Sequence, residues 1–376
     1  MKEEITLLAT SAMGLEAIVA REVRSLGYKP KVDNGKITFH APISAIPRTN
    51  LWLRTADRVK LVVGETKIET FEQLYEWIYS LPWEQFIPED GKFPVIGKSH
   101  KSKLYSVRHC QSITKKAIVD RLKQKHGIAN RLPETGALYR VEIALLKDIA
   151  TVTIDTSGEG LHKRGYRIGQ GDAPLKETLA AALVLLTNWQ PDCYLIDPMC
   201  GSGTIPIEAA LIGQNIAPGF NRSFASENWT WIGQSAWEEA FTEAEDYAKY
   251  DQPLQIHGYD IDHRMIKVSK ANAMEAGLVD LIEWKQMQLK DLAIKEEGGY
   301  IISNPPYGER LKDEAYVTYL YKTLGDKLKP HPTWSVYILT AYKQFEKYYG
   351  KKATKKRKLF NGFIETDYYQ YFGKKV

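Results

Sequence analysis

The segment Asn304-Pro305-Pro306-Tyr307 follows the apolar run Tyr300 to Ser303. Neither proline carries an N–H and both fix their own φ, so the Asn304 side-chain oxygen and the Pro305 carbonyl remain as acceptors on a stiff bend. A flat amine conjugated to a ring is the group such a bend suits. Its lone pair is delocalised and attacks poorly. Two acceptors on its hydrogens favour pyramidalisation and stabilise the positive charge that develops as the nitrogen attacks carbon. Tyr307 adds a ring on which a base can stack. The alternative is a rigid proline turn that merely ends a strand.

A second constellation precedes it. In Asp197-Pro198-Met199-Cys200-Gly201-Ser202-Gly203-Thr204 an acid ends a short apolar strand, and two glycines let the backbone approach a ligand at a helix start. The position three after the second glycine is Pro206, and no Walker lysine follows, so a nicotinamide dinucleotide is disfavoured. The next strand ends His257-Gly258-Tyr259-Asp260-Ile261-Asp262. Asp260 stands where a ribose presents its hydroxyls, and a carboxylate accepts two such hydrogen bonds. Asp262 reads better as a helix N-cap. Cys200 is read as a small packing group rather than a nucleophile, because an amine-directed bend needs no covalent activation.

The elements that position these motifs fall into two regimes. Residues 5 to 10 read as a strand, Leu15 to Leu26 as an amphipathic helix stopped by Gly27, Lys36 to His40 as a strand, and Ile46 to Val63 as a helix running into a strand. Helical stripes at Thr70 to Tyr79 and Ser106 to His126 flank a strand at Phe93 to Lys98. Tyr139 to Leu146 and Ile149 to Asp155 form a hairpin across Lys147-Asp148. Beyond the break at Ser157 to Gly160, strand and helix alternate to Thr340, which means a parallel sheet, and Leu359 to Phe372 reads as a closing antiparallel pair. The fold class is α/β, with a mostly parallel sheet preceded by an α+β region. The aromatic run Trp229, Trp231, Trp237 and the acid Glu208 read as packing or surface features.

Composition narrows the function classes. The 376 residues carry 51 Lys plus Arg against 46 Asp plus Glu, and 44% are hydrophobic, which is ordinary for a globular chain and excludes disorder and collagen. No run approaches a membrane span, and Glu3 and Glu4 spoil a signal peptide, so a cytoplasmic protein is expected. Three cysteines without C-x-x-C spacing exclude a disulfide framework and a zinc site, and no metal is expected. The net charge of +5 is modest, but it is uneven. Lys98, Lys101, Lys103, Arg108, Lys115, Lys116, Arg121, Lys123 and Lys125 crowd one region, and Lys351 to Lys358 another. Either cluster is a nucleic-acid footprint or a solvated lysine face.

Taken in order, Asp197 to Thr204, Asp260 and Asn304 to Tyr307 resemble class I S-adenosylmethionine methyltransferases that act on amines. His162-Lys163-Arg164-Gly165-Tyr166-Arg167, Ala173-Pro174-Leu175-Lys176-Glu177-Thr178 and Asn215 to Gly219 sharpen this to the THUMP-domain RNA methyltransferases. The likeness is nearest the family of the N-terminal half of the bacterial 23S ribosomal RNA guanine-N2 enzyme. The resemblance implies a ferredoxin-like segment over 1–64, a THUMP RNA-binding domain over 65–157 and a Rossmann-like methyltransferase domain over 165–376. It implies S-adenosylmethionine held by Asp197, Pro198, Cys200, Gly201, Gly203, Thr204, Asp260, Ile261 and Asn304, and a target amine held by Asn304, Pro305, Pro306 and Tyr307. Relatives often place an acid near the adenine amine; here the segment is Lys285-Gln286-Met287-Gln288, and Gln286 is the candidate. The implied partner is structured RNA, 23S rRNA first, met by phosphate contacts from Lys98, Lys101, Lys103, Arg108, Lys115, Lys116, Lys163, Arg164 and Arg167. Transfer to guanine N2 or adenine N6 in tRNA, and a non-catalytic assembly protein, are the competing readings.

Overall fold

The computed structural model describes residues 4–171, 174–307 and 314–374, so Ala173 of the motif around Pro174 lies outside the described residues. Two seven-stranded sheets organise the chain. The first contains β1 (Ile5–Ser11), β2 (Lys31–Asp33), β3 (Lys36–Ala41), β4 (Ala56–Lys67), β5 (Val95–His100), β6 (Val141–Leu146) and β7 (Ile149–Asp155) in the order β2-β3-β1-β4-β7-β6-β5. Its pairs are antiparallel except β5 with β6. Helices α1 (Glu16–Ser25), α2 (Ala45–Trp52), α3 (Phe71–Ser80) and α4 (Val107–His126) accompany it.

β4 is the hinge of this half. It runs twelve residues, pairing β1 through its first part and β7 along the rest, so the ferredoxin-like and THUMP stretches share one sheet. The turn between β6 and β7 places both Lys147 (φ 52) and Asp148 (φ 64) in the left-handed region, the geometry that matches strand twist in a two-residue hairpin.

The second sheet contains β8 (Leu195–Asp197), β9 (Ile256–Asp260), β10 (Ile282–Gln286), β11 (Gly299–Ser303), β12 (Trp334–Thr340), β13 (Lys355–Asn361) and β14 (Ile364–Tyr371) in the order β10-β9-β8-β11-β12-β14-β13. The first five are parallel and the last two antiparallel. Helices α5 (Glu177–Leu185), α6 (Thr204–Gly213), α8 (His263–Glu275) and α9 (Glu314–Leu328) connect or cover these strands, with α7 (Gln234–Tyr247) and the short α10 (Phe345–Tyr349) between them. α5 and α6 are apolar almost all round and are buried along nearly their whole length, as helices packed between a sheet and other elements must be. This is the Rossmann-like arrangement that the resemblance implies.

Two expectations change. The basic run near the C-terminus does not precede the last antiparallel pair. Lys355 to Lys358 open it, as the edge strand β13, where lysines block edge-to-edge pairing. The segment Ala217 to Ala244 belongs by packing to the first half: Phe224, Trp229, Ile232 and Trp237 join the core of the N-terminal sheet, and Trp229 stacks on Tyr139 with centroids 4.8 Å apart. In return Leu15 and Ile18 of the N-terminal region join the core of the second sheet.

Candidate active site

Strand order reverses between β8 and β11, and in open α/β sheets ligands bind beyond the carboxyl ends of strands at such a switch point. Pairing of Ile301 with Ile196 brings Asp197 and Ser303 side by side at those ends, and Asn304 follows directly. Ser303 Oγ donates to Asp197 Oδ1 at 2.6 Å, and the Met199 N–H donates to the same oxygen at 3.2 Å. A cavity of 260 Å³ opens here, walled by Asp197, Met199, Cys200, Gly201, Ser202, Thr204, Ile205, Met265 and Asn304 and by Gly171, Pro174 and Leu175 of the linker. Asn304 Oδ1 is shielded from solvent and has no hydrogen-bond partner among the described residues. A buried acceptor in that state costs about 1–3 kcal/mol unless a donor arrives.

Burial also shapes the acids. Asp197 is 2% exposed, and desolvation pushes its carboxyl up to about 7 against the opposing hydrogen bonds from Ser303 and Met199. Asp260 is likewise raised by burial. Its Oδ2 accepts the Gly201 N–H at 2.9 Å and its Oδ1 the Asp262 N–H at 2.9 Å, so this carboxylate ties the end of β9 to the glycine turn. Burial drives the Cys200 thiol well above its usual range, which suits packing and not nucleophilic attack.

The two glycines do different work. At Gly201 (φ 54) an added Cβ would meet nothing within 4 Å, so the backbone is open to a ligand. At Gly203 (φ 83) it would lie 2.7 Å from the Trp284 ring and 2.8 Å from Ser269 Cβ, so the second glycine lets the helix start pack on β10 and α8. The linker is strapped across this turn. Arg167 donates to Glu177 Oε1 at 2.6 Å, Ser202 Oγ at 3.1 Å, Thr204 Oγ1 at 3.0 Å and the Leu175 carbonyl at 2.9 Å. Asn272 Oδ1 accepts the Ile168 and Gly169 N–H groups, while its Nδ2 donates to the Gly169 and Ser202 carbonyls.

Of the residues expected at the site, Asp197, Cys200, Gly201, Thr204 and Asn304 share the cavity wall. Pro198 and Gly203 shape the turn without lining it, and Asp260 reaches it through Gly201. Ile261 is 53% exposed beside Asp260, and the exposed Gln286 donates through Nε2 to the Ile261 carbonyl at 3.1 Å. Tyr307 departs from expectation. It is 3% exposed and its hydroxyl accepts from Asn361 Nδ2 at 3.0 Å, so its ring offers no open face for stacking. Pro306 lends its carbonyl to the Tyr321 hydroxyl at 3.4 Å, which braces the bend from below.

Three of the cations assigned to phosphate contact are corrected. Arg164 is 3% exposed and pairs with the fully buried Glu208 at 3.2 Å, in a network that includes Tyr166 and the Arg54 carbonyl. Arg167 is spent on the strap. Lys115 Nζ reaches Glu134 at 2.8 Å and the Phe93 carbonyl at 3.0 Å and lies 3.4 Å from the centre of the Phe93 ring. Lys98 and Lys103 are exposed but paired with Glu142 and Glu69, whereas Lys101, Arg108, Lys116 and Lys163 face solvent. Ser303, Asn272 and Met265 escaped the sequence reading. An Asn amid the apolar stripe of α8 was the available signal for Asn272, since a buried amide must find partners. No helix among the described residues is long and apolar enough to cross a membrane.

Comparison with known proteins places this geometry. Residues 6–60 match the model of an RlmL ferredoxin-like domain, 69–155 that of a THUMP domain and 164–370 that of an RMKL-like methyltransferase domain. YpsC of Bacillus subtilis (strain 168), provisionally named an RNA methyltransferase, is 61% identical over 99% of this chain and 97% of its own length. A crystal structure from Listeria monocytogenes, described as a predicted N6-adenine-specific DNA methylase, is 60% identical, with a TM-score of 0.95 over 99% of this chain and 97% of that one. SMU.472, provisionally named a methyltransferase and complexed with S-adenosylhomocysteine, is 48% identical, with a TM-score of 0.95 over the full length of both chains. The chain spans about half the length of relatives named ribosomal RNA large subunit methyltransferase K/L, such as that of Shewanella baltica (strain OS195), at 34% identity over 96% of this chain. A carboxylate, an open glycine and an amide oxygen unpartnered among the described residues, all around one cavity, fit S-adenosylmethionine, and the chain belongs to the THUMP-containing, RMKL-like family of class I S-adenosylmethionine-dependent RNA methyltransferases.

Proposed function

We propose that the chain methylates the exocyclic N2 of a guanine in 23S rRNA. The observation that carries this reading is Asn304 Oδ1: shielded from solvent and without a donor among the described residues, on a side chain that shares its cavity with Asp197 and Gly201. S-adenosylmethionine, when bound, supplies an electrophilic methyl group on a positively charged sulfur. Asp197, once ionised, holds the cationic methionine end. Gly201 admits its backbone, Asp260 faces the ribose, and Ile261 and Gln286 flank the adenine side. Asn304 Oδ1 accepts from the target amine and holds its N–H while positive charge builds on nitrogen, and Pro305 and Pro306 keep that oxygen in place. A target base within a helix must leave its stack to bring its amine to Asn304. The large-subunit rRNA substrate is supported by the K/L relatives' names; the acceptor atom rests on the likeness of the bend to amine-directed family members.

The description of the Listeria protein as an N6-adenine-specific methylase favours adenine N6 as a second reading. Nucleoside mass spectrometry on rRNA from a strain lacking the gene separates the two. Loss of one N2-methylguanosine is the expected result. Loss of N6-methyladenosine moves the acceptor, and an unchanged profile from a protein that still binds S-adenosylmethionine sinks the rRNA assignment.

A further inference from the structure

Beside the cofactor cavity lies a larger groove of 910 Å³, walled on one side by linker residues 159–170 and 174–177 and on the other by Asn221, Arg222 and Ser223. Pro174 and Leu175 line both spaces, so the two are neighbours across a single stretch of backbone. The walls meet closely. At Gly165 (φ 102) an added Cβ would run into the Asn221 carbonyl oxygen, so no side chain is tolerated there.

The groove's charge is not balanced from within. Its lining carries Lys163, Arg164, Arg167, Lys176 and Arg222 against Glu159 and Glu177. Glu208 neutralises Arg164 from behind, and Glu177 neutralises Arg167. That leaves Lys163, Lys176 and Arg222 facing Glu159. Arg222 is the informative member. It is half-buried, and its guanidinium donates only to neutral carbonyls: Gly160 at 2.6 Å, Lys163 at 2.9 Å, Glu159 at 2.9 Å and Ser223 at 3.3 Å. Its face lies over Phe224, 4.8 Å from the ring centre. Burial lowers it to about 10, with Glu159 and Asp155 acting in the opposite sense, so it stays charged at neutral pH, and no carboxylate among the described residues forms an ion pair with it. Lys163 and Lys176 are exposed and have no ion-pair partner among the described residues, although Lys176 acts at longer range on Asp57 and His162. Half-buried charge without a counter-ion is costly, and an external anion relieves it.

We propose that this groove takes the single-stranded RNA flanking the target nucleotide, with its phosphates on Lys163 and Lys176 and the Arg222 charge behind them in the wall. The inference rests on the reading of the chain as an RNA methyltransferase and adds the path by which the strand reaches Asn304. The walls close on each other at Gly165, and a strand opened to free its target base would run along the wall shared with the cofactor cavity.

The test uses the full-length protein, a 23S rRNA transcript and a single-stranded oligonucleotide offered alone or annealed to its complement. Lys163→Glu and Lys176→Glu together should weaken binding of the single strand on the order of ten-fold or more near 0.1 M salt and reduce the slope of log affinity against log salt by about 1–2. S-adenosylhomocysteine affinity should stay unchanged, which shows that the fold and the cofactor site are intact. Arg222→Lys, which keeps the charge but loses the carbonyl fork, should give a smaller loss. An unaltered salt slope in the double variant overturns the groove, and so does equal loss on the annealed duplex. Failure of the enzymatic reading looks different: the wild type binds RNA, with the slope responding to Lys163 and Lys176, yet transfers no methyl group to any transcript.

Discussion

At the residue scale the site is a pair of oxygens with opposite needs. Asn304 Oδ1 lacks a donor among the described residues, while Asp197 carries two donors and burial still raises its carboxyl to about 7. Asn304→Ala should therefore lower the methyl-transfer rate on the order of 10² to 10³ while leaving S-adenosylhomocysteine affinity within a few fold, because the lost contact stabilises charge that exists only during transfer. Unchanged turnover in rapid-quench assays refutes its role. For Asp197 the sign is set by its raised carboxyl: the ionised form attracts a cationic methionine end, so affinity for S-adenosylmethionine should fall as pH drops through about 7. Titration calorimetry in two buffers of different ionisation enthalpy should show proton release on binding near pH 6.5. Asp197→Asn should remove both the release and most of the affinity. Stability of the cofactor-free protein runs the other way. The protonated form is favoured in the fold, so stability falls as pH rises from about 4 to about 7 and then levels.

At the scale of elements, the linker and the glycine turn form one unit. Arg167 and Asn272 close it with eight hydrogen bonds between them, four each. Arg167→Ala should loosen the turn and raise the dissociation constant for S-adenosylhomocysteine about ten-fold or more, with RNA affinity affected less; the reverse pattern, a loss of RNA binding alone, would restore Arg167 as a phosphate contact. Gly203→Ala should be worse than Gly201→Ala in thermal stability, although both glycines have positive φ, because only the former drives a methyl group into Trp284 and Ser269. Equal melting temperatures for the two variants would contradict that assignment. The positions of Asp197, Asp260 and Asn304 were legible because each follows a short apolar strand, and the end of a strand is visible as a break in pattern. The roles of Arg164, Arg167 and Lys115 were not. A cation reads the same whether it meets phosphate or a carboxylate, and Glu208 lies 44 residues from Arg164.

At the scale of the whole molecule the two halves are interleaved. The aromatic segment around Trp229 leaves the second half of the chain to complete the first core, and α1 sends Ile18, with Leu15 just before it, the other way. One cooperative transition in denaturant is expected, probed by tryptophan fluorescence and by circular dichroism, and Trp229→Ala should cost about 3–5 kcal/mol. Two separated transitions in the wild type would show that the halves fold alone. Periodicity and motif order alone determined the α/β class, the strand-end acids and the proline bend, because each is written in residues close together in the chain, and the cofactor followed from the family resemblance that those motifs carry. Tertiary structure decided which glycine admits a ligand and which only packs, which cations are already neutralised, and that β4 knits two expected units into one sheet. Those outcomes depend on what lies across a gap from a residue, and pairing partners dozens to more than a hundred positions away leave no local trace in the order of amino acids.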